Sequence, residues 1–98
     1  GLRSASANNI PNEFVLEQNY PNPFNPITTI RYQLPEAGRV RLSIFNIYGQ
    51  EILTLVDEIQ EAGYKSTEWD ASAFPSGVYY YRFYSGASIL TNKMILLK

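Results

Sequence analysis

The sequence predicts an all-β domain, an antiparallel sandwich of about seven short strands. Three observations predict it. Apolar and polar residues alternate with period two through ITTIRYQL (Ile27–Leu34) and again from Arg39 to Ile44. Turn-forming clusters recur every 8–12 residues or so along the chain. Residues that favour strands are densest in VYYYRFY, Val78–Tyr84. A length of 98 residues, 45% of them apolar and 14% aromatic, suits one folded domain with one core.

Residues 1–12 are set aside as a linker or cloning remnant, because Gly1–Asn9 (GLRSASANN) is small, polar and without period. The domain is placed at 13–98. EFVLEQ (Glu13–Gln18) reads as a short strand with Phe14 and Leu16 on one face. Pro21, Asn22, Pro23, Phe24, Asn25 and Pro26 follow. The prolines fix φ and remove backbone donors, so this run is a rigid, polyproline-like strap that no central strand can include. Tyr20 and Phe24 are the side chains expected to pin it to the core.

In the next strand Ile30, Tyr32 and Leu34 face inward. Pro35–Gly38 turns the chain into a strand with Val40, Leu42 and Ile44 inside and Arg39, Arg41 and Ser43 outside. Asn46–Gln50 is a turn in which Gly49 supplies a positive φ. EILTLV (Glu51–Val56) is apolar on both faces; its flanking turns favour a strand, although Ile52, Leu55, Val56 and Ile59 also fit helical spacing. Glu61–Gly63 leads into YKSTEW, with Lys65, Thr67 and Trp69 alternating against Tyr64, Ser66 and Glu68. After the connection Asp70–Gly77, Tyr79, Tyr81 and Phe83 should point inward and Tyr80, Arg82 and Tyr84 outward, exposed. Ser85-Gly86 turns into the last strand, SILTNKMILLK. This strand count and turn spacing indicate an immunoglobulin-like sandwich.

Composition excludes several functions. Eight basic and nine acidic residues leave a net charge of −1, with none of the basic surplus that nucleic-acid binding requires. Without Cys or His there is no thiolate nucleophile, no disulfide, little prospect of zinc, and no imidazole base for any serine. No apolar run approaches the ~20 residues of a membrane span. No charged-then-apolar leader opens the chain, so an export signal, if used, lies upstream or is of another kind. Asp57, Glu58 and Glu61 read as solvated carboxylates on a connection, with a calcium site the minor alternative. The reading is therefore non-catalytic, with no cofactor and no metal.

LEQNYPNPFNPITTIRYQLPEAGRVRLSIFNIYGQEI, then GYKSTEWDAS, FPSGVYYYRFY and a closing KMILLK together resemble the type A C-terminal sorting domain of the type IX secretion system. The likeness runs from about Phe14 to Lys98, with the pieces in the family's order. It implies an immunoglobulin-like fold, similar to the C-terminal region of the flagellar hook-capping protein. It further implies a non-catalytic sorting or attachment role at the end of a larger parent protein, such as a hydrolase or adhesin of the Bacteroidetes. The implied route runs through the periplasm and the outer-membrane translocon to the cell surface or medium. The implied partners are that translocon, a sortase-like surface peptidase and the upstream parent. The family's motifs fall on the PNPFNP strap, on Asn46, Gly49 and Gln50, on Ser76, Gly77 and Tyr79, and on Lys93 and Lys98.

Each motif also has a local structural explanation. The strap covers a sheet edge. Asn46 and Gly49 form a turn. Tyr79 resembles a tyrosine corner, whose hydroxyl ties back to backbone. Lys93 and Lys98 guard a terminal strand or offer a basic handle. Tyr80, Arg82 and Tyr84 are a candidate exposed aromatic surface, able to stabilise a sheet through cross-strand pairs or to stack on sugar rings. The rival to sorting is accordingly a non-catalytic carbohydrate-binding or structural module of an extracellular enzyme.

Overall fold

The computed structural model describes residues 10–98; Gly1–Asn9 of the expected linker lies outside the described residues. Seven strands follow one another: β1 (Val15–Leu16), β2 (Ile27–Leu34), β3 (Gly38–Phe45), β4 (Glu51–Gln60), β5 (Gly63–Asp70), β6 (Gly77–Ser85) and β7 (Ser88–Leu96). They form a three-stranded sheet in the order β1-β2-β5 and a four-stranded sheet in the order β4-β3-β6-β7. Every neighbouring pair is antiparallel. This is an immunoglobulin-like sandwich in which β4 lies beside β3.

The apolar half of each alternation forms the core. Ile30, Tyr32 and Leu34 from β2 meet Val40, Leu42 and Ile44 from β3, Tyr79, Tyr81 and Phe83 from β6, and Met94 and Leu96 from β7. Trp69 closes one end, with ring centroids 5.7 Å from Phe24, 5.4 Å from Phe74 and 5.4 Å from Tyr79.

Strand β4 explains its own ambiguity. Leu42 pairs with Val56 and Ser43 with Thr54, and then Ile44 pairs with Leu53 and Phe45 with Glu51. Two irregularities thus leave Leu55 and Ile52 without a partner in the ladder, so apolar residues fall out of period. The strand also runs on to Gln60, which places Asp57 and Glu58 in the ladder and not on a connection. As consecutive strand residues they point to opposite faces. Asp57 accepts from Arg39 at 2.8 Å, and Glu58 accepts from Gln60 Nε2 at 3.1 Å.

The strap is a series of bends with its three X–Pro bonds cis, where the sequence suggested an extended polyproline run. Phe24 pins it, only 2% exposed, whereas Tyr20 stands 73% exposed and pins nothing. Asn19 and Thr28, both buried, close the strap's mouth: Asn19 Nδ2 donates to Thr28 Oγ1 at 2.9 Å, and Thr28 Oγ1 donates to the Pro21 carbonyl at 2.9 Å.

Tyr81 ties the start of the domain to its centre. Its hydroxyl donates to the Glu17 carbonyl at 2.6 Å and accepts from the Asn19 N–H at 2.8 Å. Burial, first, raises the Tyr81 phenol above the ordinary value of 10.0, and does the same for Tyr32. Both groups stay protonated in the fold after the unfolded chain has begun to ionise. The stability these two groups contribute is therefore flat below about pH 10 and falls as pH rises beyond it. Tyr81→Phe should cost ~1–3 kcal/mol near neutrality by orphaning the Asn19 N–H, and should flatten the alkaline decline. Urea denaturation across pH 7 to about 11 checks both, and an alkaline slope unchanged in the variant would assign the decline to other groups.

Candidate functional site

Antiparallel order sorts the connections by end. The Asn46–Gln50 turn, the Ala71–Ser76 connection, the strap and Lys98 all lie at one pole, because β3, β5 and β7 run towards it and β2, β4 and β6 start from it.

The Asn46–Gln50 turn is held from within. Asn46 Oδ1 accepts the Tyr48 and Gln50 N–H groups at 2.9 and 3.1 Å, and Asn46 Nδ2 donates to Gln50 Oε1 at 2.8 Å. Gly49, at φ 78°, sits in left-handed geometry and donates its N–H to the Asn46 carbonyl at 3.0 Å. The sequence-predicted turn formers therefore act on backbone. What they present outward is Ile47, 61% exposed, and Tyr48, 81% exposed. Motif reading missed these two, since they occupy its unspecified positions; the available signal was a pair of apolar residues inside a turn.

Across a concavity of about 270 Å³ lie Pro75, Ser76 and Val78. Gly77 opens this corner at φ 153°. Tyr79 is buried and donates its hydroxyl to the Pro75 carbonyl at 2.6 Å, the expected tyrosine-corner bond. Burial raises its phenol above 10.0. Tyr79 thus shapes the corner from inside and offers no contact surface.

The two lysines sit in different surroundings. Lys98 donates its backbone N–H to Ser76 Oγ at 2.9 Å and its Nζ to the Ser72 carbonyl at 2.6 Å, fastening the chain end to the same corner. Asp70 takes the Ser72 hydroxyl and N–H, and these hold its carboxyl below 3.8, with the Lys98 charge adding to them. Lys93 is exposed on the outer face of β7, directly across from Tyr80.

Of the three outward β6 residues, Tyr80 is 37% exposed, while Arg82 and Tyr84 are half-buried and not freely exposed as expected. The Arg82 guanidinium lies 5.0 Å from the Phe45 ring centroid, and Arg41 lies 5.7 Å from that of Tyr84. Ser43, paired with Arg82 in the ladder, is fully buried and its hydroxyl has no partner among the described residues, although it points away from the core.

The strap covers the outer edge of β7. Phe24 donates to the Ile95 carbonyl at 2.9 Å and accepts from Leu97 N–H at 3.0 Å. Asn22 Oδ1 accepts from Ile95 N–H at 2.9 Å, and Gln18 Nε2 donates to the Lys93 carbonyl at 2.7 Å.

A family model described as the secretion system C-terminal sorting domain matches residues 18–97, nearly all of the described fold. The chain belongs to that family. No curated protein matches the chain. As a type IX sorting domain it is exported to the cell surface or the medium across the outer membrane. Membership implies an interaction with the secretion system and a parent protein upstream. Among the described residues no helix is long and apolar enough to cross a membrane. The residues singled out from the sequence thus divide into a gathered pole, a strap, and Lys93 on the outer face of β7, with Tyr79, Gly77, Gly49 and Asn46 shaping a pole that displays Ile47, Tyr48, Gln50 and Lys98.

Proposed function

We propose that this pole is the surface by which the outer-membrane translocon reads the domain, that the domain is non-catalytic, and that a sortase-like surface peptidase cuts ahead of the fold. The observation that carries the reading is the convergence of Asn46–Tyr48 from the turn and Pro75–Tyr79 from the corner around one concavity, with Lys98 fastened to the corner through Ser76. These segments are far apart in sequence, and a machine reading them together needs the folded domain. Gln50, Lys98, Ile47 and Tyr48 would be read directly at the pole; Asn46, Gly49, Gly77 and Tyr79 would act by shaping it, and Lys93 would contribute from the outer face of β7. The segment before the fold joins it to the parent and is the region for release.

At the edges of the four-stranded sheet, docking through side chains fits better than strand addition does. The strap already occupies β7 from Lys93 to Leu97. The opposite edge, β4, carries two register shifts and the acidic side chains Glu51, Asp57 and Glu58, which discourage a further strand.

An export assay tests the reading. Residues 10–98 follow a fluorescent protein bearing a periplasmic leader, in a bacterium with the type IX machinery and in its translocon-null derivative. Surface or medium fluorescence that depends on the translocon is expected. Retention in the periplasm of both strains would overturn the reading. Deleting Met94–Lys98 is a poor test, because it strips Met94 and Leu96 from the core.

A further inference from the structure

We propose a second binding site on the outer face of the four-stranded sheet: the concavity bounded by Phe45, Tyr80, Arg82 and Thr91 takes an acidic sugar, a hexuronate unit of a polysaccharide. The concavity borders the Asn46–Gly49 turn of the export reading, but the proposal rests on Tyr80, Arg82 and Thr91 and does not depend on that reading.

The charges on this face point to an anion. Arg39 is paired with Asp57 at 2.8 Å and Arg41 with Glu51 at 2.6 Å. Arg82, on the same face, has no carboxylate partner among the described residues. Among the described residues its one hydrogen bond runs from Nε to Thr91 Oγ1 at 3.1 Å, and neither terminal nitrogen has a partner there. The acidic positions flanking Arg82 in the ladder are both in use: Arg41 and Thr54 take the oxygens of Glu51, and Arg39 takes Asp57. Lys93, exposed and paired with Tyr80 in the ladder, adds a second cation to this face.

Shape and lining point to a sugar. The concavity holds about 340 Å³, at the small end of ligand clefts. Arg82 is held over the Phe45 ring and tethered by Thr91, so its fork is restrained beside the concavity for a planar carboxylate. Tyr80 offers an exposed aromatic ring beside that fork for the apolar face of a pyranose ring, and the Thr91 hydroxyl suits a ring hydroxyl. An acidic peptide fits less well. β6 is hydrogen-bonded on both sides, to β3 and β7, and offers no free ladder to an extended chain.

The test titrates tetragalacturonate into the 98-residue chain, isotope-labelled, and follows the amide and Arg Nε signals. Neutral tetragalactose and tetraglutamate are run in parallel. Tetragalacturonate should bind with Kd of order 1 mM or tighter and move the signals of Phe45, Tyr80, Arg82 and Thr91. Arg82→Gln and Tyr80→Ala should each weaken it at least about tenfold, and Arg31→Gln on the opposite sheet should not. No saturable shift with the uronate overturns the proposal. So does equal binding of tetragalactose, or of tetraglutamate, by the wild-type chain, which needs no variant to fold.

Discussion

Phe24→Ala should destabilise the domain by ~3–5 kcal/mol, the range for emptying a buried aromatic site. The ring is 2% exposed and packs 5.7 Å from Trp69, so truncation leaves a cavity beside the largest side chain of the core. A second cost comes through backbone. Phe24 closes two hydrogen bonds onto β7, to the Ile95 carbonyl and from the Leu97 N–H, and the ring is what anchors that segment. Loosening it exposes the edge of β7 from Lys93 to Leu97, so the variant should also self-associate at high concentration. Urea denaturation measures the first effect and light scattering the second, with Tyr20→Ala as a strap control expected within about 0.5 kcal/mol of wild type. A loss under about 1 kcal/mol would mean that the strap lies on the sandwich without holding it.

The contrast between Phe24 and Tyr20 marks the limit of what was legible. Period two placed the inward residues of β2, β3 and β6, because a pleated strand buried on one face leaves no other choice. The proline run announced a segment that covers an edge, yet which aromatic turns inward depends on where the bends fall. Strand β4 was harder, since two bulges put apolar residues out of period and imitate a helical spacing. At the candidate site the turn formers were readable, as Asn46 and Gly49 have chemistry specific to turns. Their purpose was not, because exposure of Ile47 and Tyr48 is a property of the folded pole. Likewise the half-burial of Arg82 and Tyr84 follows from Phe45 and Arg41 lying across the ladder, which alternation within one strand does not report.

The double replacement Ile47→Asp and Tyr48→Asp should reduce translocon-dependent export at least about tenfold while leaving the melting temperature within a few degrees of wild type. Both side chains are exposed at the tip of a turn that Asn46 and Gly49 already hold rigid, so neither supports the core. A rigid apolar pair in water is the arrangement of an interface anchor, which loses little freedom on docking and gains by leaving solvent. Carboxylates there would have to be desolvated inside the partner's pocket, which costs more than losing the contact. Lys98→Ala should have a smaller effect, since its Nζ is engaged with the Ser72 carbonyl and supports the neighbouring corner from the side. Asn46→Ala should resemble the double variant in export but not in stability, because it loosens the turn that carries the pair. Unchanged export in the double variant would remove the pole as the docking surface and move attention to the strap, the other segment on which the family's motifs fall.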